Sequence, residues 1–139
     1  MKRQAGAGPT PRHAGLGRWP GLLVFGVLGA TALFSRVAVE GDSMSPTLEP
    51  GDHLLVLRLR RGRGLRDGDL VTVRDPRPDA GRRVLVKRLA ALDSGWVELV
   101  GDHSEASTDS RTFGRLPLSS VRGKVLYRYA PSNRSGVVH

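Results

Sequence analysis

Of 22 basic residues in this 139-residue chain only three are lysine, and one of them, Lys87, lies inside an aliphatic stretch, Val84-Leu-Val-Lys-Arg-Leu-Ala-Ala-Leu92. Arginine is the default cation here, so a lysine among apolar residues carries chemical information. A guanidinium keeps its proton in proteins, whereas an ammonium taken out of water gives its proton up more readily, by several pKa units when fully buried. The resulting neutral amine can serve a hydroxyl nucleophile as general base. The competing reading is a strand lysine whose amine reaches back to solvent. Hydroxyls for such a base occur in Val39-Glu-Gly-Asp-Ser-Met-Ser-Pro-Thr-Leu48. Ser43 follows a Gly-Asp pair and precedes Met-Ser-Pro, a bend at which backbone N–H groups can point at an oxyanion. Ser45 and Thr47 lie within the same few residues, and spacing does not choose among the three. An ordinary Pro-containing turn would use the same letters.

Other nucleophile chemistries are disfavoured. A Ser-His-Asp arrangement needs a histidine to accept the serine proton. His13 sits in a basic tail, His139 in the last residue, His53 at the opening of a strand and His103 in a turn without a partner pattern. With no cysteine, a thiol nucleophile, a disulfide framework and a thiolate metal site are all excluded. Serine–lysine chemistry requires neither metal nor cofactor.

The elements that must position these residues read as short strands. Aliphatic runs at 37–41, 53–59, 69–74, 83–91, 95–100 and 121–129 are too short for helices and are separated by turn signals. Gly-Asp recurs at 41–42, 51–52, 68–69 and 101–102, a pairing suited to tight turns. Residues 75–81 form a Pro-rich loop, and residues 131–139 read as a flexible tail. Alternation along 84–92 places Leu85 and Lys87 on one strand face and Val86 and Arg88 on the other. Five per cent aromatic residues, 18 Gly and 9 Pro agree with a turn-rich, mainly β domain, a partly closed barrel in outline, over residues 37–130.

Ahead of this domain, residues 1–18 are basic and rich in Gly and Pro, as a disordered tail is, and residues 19–34 contain no charge. As a helix that run would extend ~24 Å at ~1.5 Å per residue, and Ser35 with a snorkelling Arg36 would lengthen it towards a bilayer core. The reading is one transmembrane signal anchor over residues 19–36; a cleaved signal peptide, with Ala30-Thr-Ala32 as its small-x-small site, competes with it. Residues 1–36 hold five cations and no acid, which places the amino terminus in the cytoplasm and the domain on the extracytoplasmic side of the cell membrane, in a single-pass topology. The net charge of +9 is therefore concentrated in the tail and in Arg-Leu-Arg-Arg-Gly-Arg-Gly-Leu-Arg66. The latter is either a solvated surface loop or a contact for anionic lipid head groups, with nucleic acid behind both.

Three segments together carry a resemblance. Gly41-Asp-Ser-Met-Ser-Pro-Thr-Leu48 with Pro50-Gly-Asp52 resembles the nucleophile box of type I signal peptidases, and Val86-Lys-Arg88 resembles their lysine box. Gly101-Asp-His-Ser-Glu-Ala-Ser-Thr-Asp-Ser-Arg-Thr-Phe-Gly114 resembles their carboxy-terminal box. They occur in family order and, with the apolar segment, span nearly the whole chain. The resemblance implies a compact signal-peptidase-like β core in which Ser43 is the nucleophile and Lys87 its general base. It further implies that Ser107 orients the lysine amine, that Asp109 and Arg111 brace the site, and that Asp102 lies in the same supporting turn. By it, Met44, Leu85 and Val86 line substrate pockets, and an extended preprotein or pro-protein adds beside residues 83–86 and is cut after small residues. Gly41 stands where some members use a serine hydroxyl for the oxyanion, and His103 stands where Asn is common. The large accessory β domain of many bacterial members is missing between Arg88 and Gly101. In size and in its Ser-Thr-Asp-Ser-Arg-x-Phe-Gly ending the chain also resembles proteases that mature nickel-type superoxide dismutase. The apolar segment favours general preprotein processing over that narrower task. A non-catalytic, membrane-tethered binding domain is the rival from another class. A self-cleaving repressor relative is disfavoured, because no helix-turn-helix pattern precedes the core.

Overall fold

The computed structural model describes residues 32–139. Eight strands form one antiparallel sheet: β1 (Phe34–Ala38), β2 (His53–Arg58), β3 (Leu70–Arg74), β4 (Val84–Asp93), β5 (Trp96–Val100), β6 (Leu116–Pro117), β7 (Val121–Ala130) and β8 (Gly136–Val137). The spatial order is β1-β2-β7-β3-β4-β5-β6, and β8 adds to β7. One four-residue helix, α1 (Ser110–Phe113), and short 3-10 turns fill the connections. The mainly β expectation is borne out.

Central strand β3 explains how so small a sheet builds a core. Leu70, Val71, Thr72 and Val73 are all buried, because apolar residues cover both faces of the strand. Val71 and Val73 pack with Leu89, Val97, Leu99 and Val121, whereas Leu70 packs with Met44, Leu48, Leu54, Val56 and Val125. Strand alternation thus distributes neighbouring residues between two apolar clusters. The second cluster draws the 39–48 loop onto the sheet, since Val39, Met44 and Leu48 are its members.

Several boundaries differ from the sequence reading. The strand expected at 37–41 begins at Phe34 and ends at Ala38, pairing Phe34 with Leu57, Ser35 with Val56 and Arg36 with Leu55. The last three residues of the apolar stretch 19–36 therefore lie in the sheet. No helix among the described residues is long and apolar enough to cross a membrane, and residues 19–31 lie outside them. The tail after Pro131, expected to be flexible, instead forms a 3-10 turn and β8, with Val138 against the second cluster. Ladder bonds to β7 and the Arg128 guanidinium, which donates to the Arg134 carbonyl, hold it there.

Half of β4 has an open side. Its residues Val84–Arg88 pair with β3, but pairing with β5 begins only at Arg88. Among the described residues one ladder edge of Val84–Lys87 is consequently without a strand, and β1 is likewise an outer strand of the sheet.

Candidate active site

Lys87 projects from β4 into the interior and is only 2% exposed, so its amine does not reach back to solvent. Its Nζ donates to Ser107 Oγ at 2.9 Å. Burial lowers the pKa of this amine below its ordinary 10.5; the Asp109 carboxylate opposes that shift, and the Arg111 guanidinium adds to it.

Ser107 in turn donates to Asp109 Oδ2 at 2.6 Å. A hydroxyl has one proton, so Ser107, having committed it to Asp109, can only accept from Lys87. A neutral amine then uses an N–H towards Ser107 and keeps its lone pair for a proton from elsewhere.

Asp109 is fully buried and caps α1 through the Arg111 N–H. Its carboxylate also accepts from the Gly101 N–H at 2.8 Å and from Arg111 Nε and Nη2 at 2.9 and 2.5 Å. The Arg111 fork, aided by Ser107 and the backbone donors and opposed by burial, holds its pKa far below the ordinary carboxylate range. Arg111 reaches Asp109 from a helical turn, not along an extended segment, and the buried acid makes this more than a surface pair.

The loop that carries Ser43 is fastened against the same turn. The His103 N–H donates to the Ser43 carbonyl at 3.1 Å. Gly101 separates Ser43 from Ser107: a Cβ there would lie 2.5 Å from both the Ser107 Cβ and the Ser43 carbonyl oxygen. Glycine is needed at this position for close approach, because only Gly51 and Gly68 of the four Gly-Asp glycines have positive φ. Through this contact Ser43, Ser107 and Lys87 converge on one corner of the sheet.

Among the three candidate hydroxyls, Thr47 donates to Asp102 Oδ2 at 2.6 Å and Ser45 to the Leu48 carbonyl at 3.4 Å. Neither the hydroxyl nor the N–H of Ser43 makes a hydrogen bond among the described residues. Asp102 is clamped by Arg88 Nε and Nη2 at 2.8 and 2.7 Å, and that pairing, with help from Thr47 and against partial burial, lowers its pKa. Arg88, the residue beside Lys87, thus ties β4, the Gly101 turn and the loop that carries Ser43 together. Behind the loop, Arg128 donates to the Thr47 carbonyl and to the buried Asp52, each at 3.0 Å. Sequence reasoning missed Thr47, Arg88 and Arg128 in these positions. The only available signal was the abundance of charge in strands that are otherwise aliphatic.

A groove of about 380 Å³ opens beside Ser43, with Val37–Gly41 on one wall and Val84–Val86 on the other. Met44, Leu85 and Val86 all line it; Met44 is 1% exposed and forms its floor as part of the core. His53 and His103 are exposed, with the His53 ring 5.8 Å from that of Tyr129. Among the described residues no three His, Asp or Glu side chains are grouped to hold a metal.

Comparison with known proteins places the chain in a family. Residues 19–99 match the family described as signal peptidase, peptidase S26. The chain belongs to the signal peptidase S26 family. A mitochondrial ATP-independent inner membrane protease subunit 1a of Arabidopsis thaliana is 34% identical over 128 aligned positions, covering 75% of each chain. The mitochondrial inner membrane protease subunit 1 of Mus musculus is 29% identical and covers 72% of each. Signal peptidase I of Bacillus caldolyticus is 26% identical, covering 82% of this chain and 90% of its own. Relatives of this signal peptidase family member are thus membrane proteases of mitochondria and a bacterial signal peptidase.

Proposed function

We propose that the chain is a membrane-bound serine endopeptidase that removes signal peptides or amino-terminal pro-segments, with Ser43 as nucleophile and Lys87 as general base. The observation that carries this reading is a lysine amine only 2% exposed, hydrogen-bonded to a serine whose own proton is committed, beside the turn that bears Ser43. Neutral Lys87 takes the Ser43 proton as Oγ attacks the substrate carbonyl, the peptide C–N bond breaks, and Lys87 returns the proton to the leaving amine. Lys87 then activates water to release the acyl group from Ser43. The Ser43 N–H, which has no acceptor among the described residues, is one donor for the oxyanion.

Substrate would lie extended between β1 and β4, using the open ladder edge of Val84–Val86 for main-chain hydrogen bonds. Small residues before the cut suit a floor already filled by Met44, which is why Ala-x-Ala peptides are the first substrates to try. The relatives named as membrane proteases support a bilayer-bound setting, in which the apolar residues ahead of β1 would serve as anchor. General preproteins and one dedicated pro-protein, such as a nickel-type superoxide dismutase precursor, both fit this groove, and a peptide library separates them.

The decisive test is cleavage of a signal-peptide substrate by full-length protein in detergent. Ser43→Ala should lower kcat/KM by ~10⁴-fold or more; a variant that still cleaves removes Ser43 from the reaction, and binding without turnover by the wild type favours the binding-domain alternative. The pH profile gives a second check. Because the lysine pKa is lowered from 10.5, activity should rise with pH through that lower value and disappear on its acidic side, where the amine is protonated. A kcat/KM that is unchanged from pH 4 to 9 is incompatible with an amine base.

A further inference from the structure

A second groove, of about 570 Å³, lies outside the candidate active site and is edged by four arginines. Arg36 comes from β1, Arg58 from β2, Arg61 from the loop that follows and Arg122 from β7; no acidic side chain lines the space. Its walls also contain apolar side chains, notably Leu59 and Val121. The contrast with other arginines of the fold is informative. Arg77, Arg88, Arg111 and Arg128 each hold a carboxylate, yet none of the four groove arginines pairs with one among the described residues. Residues 1–36 contain no acid, so the undescribed segment has no carboxylate to offer.

Geometry keeps these cations together. Arg58 pairs with Gly123 across the β2–β7 ladder and the Leu59 N–H donates to the Arg122 carbonyl, which brings the backbones carrying Arg58 and Arg122 to the same end of the groove. Arg61 has φ +58 and precedes Gly62, whose Cα packs so closely on Leu118 that a Cβ would collide with that side chain. Leu65, 8% exposed, anchors the far side of the same loop. The basic loop is therefore pinned to the domain and not simply solvated. Arg36 and its neighbour Val37 line both this groove and the one beside Ser43, while the Arg36 guanidinium turns to the ring of Tyr129, 5.9 Å from its centre, a residue that lines neither.

Guanidinium forks match the oxygens of a phosphate, and a cluster of them around a partly apolar hollow suits a phosphate that carries hydrocarbon. Position selects the source. Ser35, which lines the groove, is two residues beyond Leu33, the last uncharged residue ahead of β1, ~7 Å at ~3.3 Å per residue of strand, which is about the depth of one head-group layer. We propose that the Arg58–Arg61–Arg122 groove binds the phosphate head group of an anionic phospholipid and seats the domain against the bilayer. This rests on the membrane placement of the apolar residues ahead of β1 and is independent of the protease chemistry.

The test uses full-length protein in nonionic detergent micelles, titrated with phosphatidylglycerol, with phosphatidylcholine of the same chains and, separately, with inorganic phosphate. Thermal unfolding is the readout. Phosphatidylglycerol at about ten times its dissociation constant should raise Tm by about 5 °C; phosphatidylcholine and free phosphate should not. Arg58→Gln/Arg122→Gln should abolish the shift while keeping peptidase activity, and Arg61→Gln gives the same comparison with a single exposed change. Ser43→Ala, inert as a peptidase under the function proposed above, should respond to phosphatidylglycerol as the wild type does. Equal shifts with both lipids, or an undiminished phosphatidylglycerol response in the arginine variants, would overturn the site. Free phosphate acting as strongly as phosphatidylglycerol would overturn the lipid assignment in favour of a soluble phosphate ester.

Discussion

Replacing Lys87 by Met should reduce peptide cleavage by ~10³-fold or more while leaving the fold at least as stable as the wild type. A core lysine is a poor choice for stability: desolvating its ammonium costs several kcal/mol, about what a well-packed apolar residue of similar length avoids. Met preserves the volume between Val71 and Leu89, and Ser107 retains its donation to Asp109. The pH dependence follows from linkage. With the folded pKa below 10.5, the unfolded chain binds more protons over the interval between the two values, so wild-type stability rises with pH there. The gain from Lys87→Met should accordingly be largest on the acid side of that interval and vanish above pH 10.5. Calorimetry across pH, with peptide hydrolysis in parallel, measures both halves. A destabilised Lys87→Met protein at neutral pH would mean that the amine is a structural hydrogen-bond donor and not a strained base. Such opposition between activity and stability is common at catalytic positions.

Asp109→Ala should be the most destabilising single change in the site. It removes the cap of α1, worth ~1 kcal/mol, and leaves the buried Gly101 N–H and the Ser107 hydroxyl without their acceptor, at ~1–3 kcal/mol each. A total of about 3–7 kcal/mol corresponds to a fall in Tm of roughly 12–30 °C for a domain of this size. Ser107, freed of Asp109, can turn its proton towards the Lys87 lone pair, so kcat should fall even at temperatures where the variant stays folded. Because the folded pKa of Asp109 lies below 3.8, its contribution is complete above that value and is lost only as pH falls through the lower one; the difference between wild type and variant should therefore be constant from pH 5 to 8. Thermal melts and kinetics below the variant's Tm check the two parts. A loss of under ~1 kcal/mol would show that water replaces the carboxylate and that the site is looser than its hydrogen bonds imply.

Strands were legible wherever an aliphatic run was bounded by Gly-Asp, as at His53–Arg58 and Leu70–Arg74, because short-range alternation and turn chemistry act within a few residues. The start of β1 was hidden: Phe34-Ser-Arg36 reads equally well as the end of an apolar helix, and only pairing with Leu55–Leu57 decides it. Strand β8 has two residues and little pattern of its own; it exists because β7 offers an edge. In the candidate site, the scarcity of lysine drew attention to Lys87, and the resemblance of three boxes supplied Ser43, Ser107, Asp109, Arg111 and Asp102. What no local pattern carried was the cross-bracing. Thr47 lies 55 residues from Asp102, and Arg128 lies 76 from Asp52, so those bonds are consequences of strand order. Gly101 was read as a turn glycine, whereas its role is spatial: it lets two serines approach one Cα.

The half-paired β4 also bears on how copies of this protein avoid one another. A strand edge left open for a peptide is equally open to any other extended chain, which makes such an edge prone to self-assembly. Its approaches carry Arg82 and Arg83 on one lip and Arg36 on the other, all exposed, with Glu40 alone in opposition along the groove. Two such edges brought together would confront like charge with like charge, whereas a small neutral segment passes between them unopposed. Electrostatic repulsion at the mouth thus acts as a gatekeeper for solubility, and high ionic strength, which screens it, is the condition under which molecules of this shape would be driven to stack edge to edge.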